Sequence, residues 1–84
     1  MDIYVVSVVH DDGIRKHEVY TDVDLAIENL ISEMHQIAEK TDISYRRVKE
    51  IENEMRLSSR DEDPSYCYVV NDYLLYIKLF NKEW

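Results

Sequence analysis

Two stretches of this chain are apolar on both faces that a β-strand can present. Ile3-Tyr4-Val5-Val6-Ser7-Val8-Val9 is almost entirely β-branched or aromatic, and Tyr73 to Phe80 repeats the pattern near the other end. Successive side chains of a strand point to opposite faces. A run without polar alternation has no side suited to water, and such strands lie centrally in a sheet or are covered twice.

The segments beside these runs read as their hairpin partners. Asp11-Asp12-Gly13 follows the first run, and Asp-Gly is a turn signal because both residues tolerate positive φ. Ile14 to Tyr20 then returns as a strand made polar by Arg15, Lys16, His17 and Glu18, a composition that protects an edge. Tyr66-Cys67-Tyr68-Val69-Val70 precedes the second run, with Asn71-Asp72 as the turn. Cys67 alternates with two tyrosines and is expected as a small buried filler.

Helical periodicity fills the middle. Val23, Ile27, Leu30, Met34 and Ile37 recur at spacings of four and three, behind a cap at Thr21 or Asp22. Thr41-Asp42 breaks the pattern. A second helix is predicted from about Ile43 or Ser44 to Leu57, marked by Tyr45, Val48, Ile51 and Met55. Ser58 to Ser65 is a polar loop holding the only proline. The order β-β-α-α-β-β predicts an α+β domain, a four-stranded antiparallel sheet from two hairpins with two helices on one face. At 84 residues, one domain with one core spans 1–84.

The charge is uneven. Residues 1–42 carry 10 acidic and 3 basic side chains, whereas residues 43–84 carry 8 and 7. From Glu18 to Glu39 there are six acids and no Lys or Arg. Such a field repels nucleic acid and anionic membrane and attracts basic surfaces. Ordinary helices mix signs, because like charges four apart destabilise and opposite ones stabilise. Asp24 and Glu28 are a like pair of this kind. The acids Asp22, Asp24, Glu28, Glu33 and Glu39 form the central row of a candidate partner-binding surface. The loops Asp11-Asp12 and Asp61-Glu62-Asp63 would extend it.

No pattern for catalysis stands out. The serines lack a Gly-rich nucleophile elbow, and one glycine is too few for a phosphate loop. His10 and His17 can approach diagonally with Asp11 and Asp12 near, but solvated polar residues are the expected reading, with no metal and no cofactor. His35 stands four before Glu39 and is expected to pair with it. A single cysteine and an opening Met1-Asp2-Ile3-Tyr4 without a basic n-region lead to a cytoplasmic expectation.

Two resemblances follow from these residues. Ile37 to Ile51 resembles a helix-turn-helix, with Ala38 at the helix contact, Ile43 after the turn, and Val48 and Ile51 in the core. That resemblance implies DNA contacts from Ser44, Tyr45, Arg46, Arg47 and Lys49. Asp42 stands where that family usually places Gly. In compactness, acidity, tyrosine content and hairpin-helix-hairpin order, the whole chain resembles the small host-inhibitor proteins of phages and mobile elements that act as DNA mimics. This second resemblance implies a non-enzymatic inhibitor that occupies the basic nucleic-acid-binding surface of a partner protein. A dimeric, antitoxin-like binder with a seam of Tyr66, Tyr68, Tyr73 and Tyr76 is a further expectation.

Overall fold

The computed structural model describes residues 2–11 and 13–81. Strands β1 (Asp2–His10) and β2 (Gly13–Tyr20) form the first hairpin. Helices α1 (Val23–Lys40) and α2 (Tyr45–Ser58) follow, and β3 (Tyr66–Val70) and β4 (Tyr73–Asn81) form the second hairpin. The expected α+β architecture is present. One four-stranded antiparallel sheet runs β2-β1-β4-β3, so the two strands that are apolar on both faces are the two central ones.

Local chemistry sets the boundaries. Gly13 opens β2 at φ 122, where a side chain would be strained. Two β2 residues, Ile14 and Lys16, lie opposite consecutive β1 residues Val9 and Val8, so a bulge falls between them. Asn71 takes φ 52 and supplies the left-handed residue of the second turn. Asp22 caps α1, its carboxylate accepting from the Asp24 amide at 2.9 Å. Ser44 caps α2, accepting from the Arg47 amide at 3.2 Å. The loop after α2 is tied to the sheet because Ser65 Oγ accepts from the Leu79 amide at 2.9 Å.

Pairing register decides the faces. Val6 and Val8 of β1, Leu75 and Ile77 of β4, and Tyr68 and Val70 of β3 are buried against the helices. Ala26, Ile27, Leu30, Ile31, Met34 and Ile37 of α1 and Val48, Ile51 and Met55 of α2 complete the core. The chain measures 44 × 28 × 15 Å. The short dimension holds one sheet and one helical layer at the usual ~10 Å spacing and leaves no room for a third. Among the described residues, no helix is long and apolar enough to cross a membrane.

Candidate interaction surfaces

The helices run antiparallel, side by side. Arg56 near the end of α2 pairs with Glu28 near the start of α1. His35 Nε2 donates to Glu52 Oε1 at 2.7 Å further along. Glu52 also has Lys49 at 3.7 Å and Arg56 at 3.9 Å. The hydrogen bond from His35, with the nearby charges of Lys49 and Arg56, holds the Glu52 carboxyl below its ordinary range. His35 therefore pairs across the helices and not with Glu39, as the i,i+4 spacing had led one to expect.

This ladder changes the acidic row. Asp22 is spent on the α1 cap, and Glu28 is paired with Arg56. Glu33 faces β2, where its Oε1 lies 2.9 Å from Lys16 Nζ. Burial of Lys16 disfavours its charge, but Glu33 and Glu18 outweigh that and raise its pKa. Of the five row members, Asp22, Asp24 and Glu39 are exposed without an ion pair among the described residues, and of these only Asp22 has its carboxylate engaged, by the cap. The expected continuous row is thus interrupted by internal ion pairs.

The loops behave differently. Asp61 accepts from the Tyr66 hydroxyl at 2.6 Å, and Asp63 accepts from the Ser65 amide at 3.1 Å. The Asp61 hydrogen bond, then the Asp61 charge, raises the Tyr66 pKa. Glu62 is exposed. Glu54, Leu57, Ser58, Asp61, Tyr66 and Tyr68 line a shallow cleft of about 260 Å³ between α2 and β3. Asp12 lies outside the described residues. Asp11 sits with His10 and Asp72 at the opposite pole, their ligand atoms all within 4.8 Å of one another. This His-Asp-Asp trio offers one nitrogen and two carboxylate donors, and the His10 ring also lies 4.3 Å from that of Tyr73. His17 is elsewhere. It hydrogen-bonds Ser7 at 2.8 Å on the opposite face of the sheet, so the two histidines do not converge.

The basic segment is partly neutralised. Arg47 lies 3.4 Å from Glu50, and Lys49 lies near Glu52 and over the Tyr45 ring at 5.6 Å. Ser44 is committed to the cap, while Arg46 is exposed. A helix-turn-helix crosses its helices at a steep angle. Here the ion pairs run along both helices, which makes an αα-hairpin laid on a sheet.

The sheet's other face is the surface that sequence reasoning missed. It is uncovered, yet it is apolar. Ile3, Val5 and Val9 of β1, Ile14 and Val19 of β2, Leu74, Tyr76 and Phe80 of β4 and Val69 of β3 project there by register. Val19 is 60%, Val69 62% and Phe80 41% exposed. Cys67 lies opposite Tyr76 on this face and is exposed, which corrects its expected burial. Tyr66 and Tyr68 stack at 6.2 Å on the helical side, and Tyr68 is buried there. The tyrosines are divided between two faces and make no single seam. Among the described side chains, Lys78, 5.3 Å from the Phe80 ring, and His17 are the only basic groups on the open face. No described carboxylate projects from it. The signal in the sequence was the absence of polar alternation in β1 and β4.

Comparison with protein-family models, curated proteins and solved structures finds no match to this chain.

Proposed function

We propose that this chain is a non-enzymatic protein-binding inhibitor that engages a basic, nucleic-acid-binding surface through its acidic side. The observation that supports this most is the segregation of charge. The formal net charge is -8, and every described carboxylate lies on the helical side, in a loop or at a turn, none on the open sheet face. The contact residues are those without an internal role, Asp24, Glu39 and Glu62, with Glu54 and Asp61 around the α2–β3 cleft. Their carboxylates take the place of phosphates, and the long-range field speeds encounter. Glu28 and Glu33 serve chiefly to hold α1 to α2 and to β2.

The test is capture of partners from lysate at low salt, with elution at high salt. Basic nucleic-acid-binding proteins are expected in the eluate, because screening weakens such contacts. Asp24→Lys with Glu39→Lys leaves the core and the ion-pair ladder untouched and should abolish capture. Undiminished capture by that double variant would refute the proposal.

A further inference from the structure

We infer that the open sheet face is the interface of a homodimer, in which two copies pack sheet against sheet with their helical layers outward. The starting point is a mismatch between exposure and chemistry. An antiparallel sheet with one solvated face normally alternates apolar and polar residues. Here β1 and β4 carry Val5, Val9, Leu74 and Phe80 on the solvated side, flanked by exposed Val19 and Val69. Ile3, Val5, Val19 and Phe80 already frame a shallow apolar depression of about 310 Å³. Contiguous apolar surface of this extent marks a contact site.

Size and charge select the occupant. Four strands at ~4.8 Å spacing, the longest nine residues at ~3.3 Å each, give a flat footprint of roughly 500 Å². Two such faces bury about 1,000 Å² or more, since accessible area exceeds the footprint, and this reaches the threshold for a specific interface. Aligned sheets pack face to face in this way in β-sandwiches. A basic partner finds no carboxylate on this face. A second copy presents an equally apolar surface, likewise without a described carboxylate. Two chains of charge -8 repel, and pairing through the open faces keeps the acids of the helical layers on the outer sides of the pair. Lys78 places its Nζ over its own Phe80 ring, 5.3 Å from the centroid, so the one described ammonium on this face is held in a cation–π contact within its own chain.

This predicts a salt dependence opposite to that of the basic partner. Self-association strengthens as salt screens the repulsion between acidic copies. The experiment is sedimentation equilibrium of the full chain over a wide concentration range at low and physiological salt. A monomer–dimer equilibrium that tightens with salt is expected. Val19→Glu with Phe80→Glu should weaken it about tenfold or more, because each places an unpaired charge in the seam. Val69→Glu, on an edge strand, is the second variant should the first pair perturb the fold, which circular dichroism reports. Leu25→Glu with Leu57→Glu, equally exposed but on the helices, should leave the dimer unchanged. A monomer at every concentration, a dimer that survives the sheet-face variants, or one lost with the helix variants would overturn the inference.

Discussion

Glu52 is the point where the acidic composition and the fold meet, and Glu52→Gln tests that link. Its side chain is 14% exposed and accepts from His35 at 2.7 Å. Glutamine preserves the shape and a neutral hydrogen bond but removes the charge. A hydrogen bond to a charged group contributes about 1.5–3 kcal/mol net, against about 1 for a neutral one. Lys49 and Arg56 are longer contacts to half-exposed partners and add a few tenths at most. The variant should therefore lose about 1–1.5 kcal/mol near pH 7. For a chain of 84 residues that lowers Tm by roughly 5–10 °C.

The pH dependence supplies the sharper test. The Glu52 carboxyl titrates below its ordinary value of 4.5 in the folded chain, because His35, Lys49 and Arg56 favour the charged form. Its contribution is complete above the unfolded value and is lost as pH falls through the folded one. The gap in Tm between the natural chain and the variant should be widest near neutrality and narrow in acid, as the pH falls below the ordinary carboxyl value of 4.5 and Glu52 takes up its proton. Thermal unfolding followed by circular dichroism at neutral and at acid pH measures it. An equal Tm at pH 7, or a gap that persists undiminished in acid, would show that Glu52 does not bind the helices together electrostatically.

Two further outcomes follow from the packing. Met34→Ala removes a side chain with no solvent exposure from the centre of α1 and should cost about 2–5 kcal/mol in urea denaturation, a large share of a small domain's stability. Asn71→Ala should cost about 1 kcal/mol, because the residue sits at φ 52, whereas Asn71→Gly should be neutral or nearly so in the same assay.

The elements were legible because they rest on local chemistry. Apolar β1 and β4 announced inner strands, polar β2 announced an edge, and Thr21-Asp22 and Ile43-Ser44 announced helix starts to within a residue, with Asp22 and Ser44 serving as the caps. What stayed hidden depends on partners distant in the chain. Arg56 neutralises Glu28 across 28 residues and Lys16 meets Glu33 across 17, so no sequence window shows that the acidic row is partly internal. The phase of Tyr66-Cys67-Tyr68 is fixed by its register with β4, since alternation alone fits either face. The doubly apolar strands were correctly placed, but the pattern does not say whether the second cover comes from the same chain.

The strand order also has a consequence for how the molecule is made. β1 finds β2 within 20 residues of chain, but its other neighbour, β4, begins only at Tyr73. Throughout synthesis of both helices, the growing chain holds an apolar strand with one hydrogen-bonding edge empty. Val6 and Val8 meet Leu75 and Ile77 only when the last strand emerges. The centre of the sheet therefore closes in a single late event, and no shorter nascent piece contains it. Such long-range pairing is slow and leaves the waiting strand open to wrong partners. The ribosome must deliver β4 before the centre of this sheet has a stable interior.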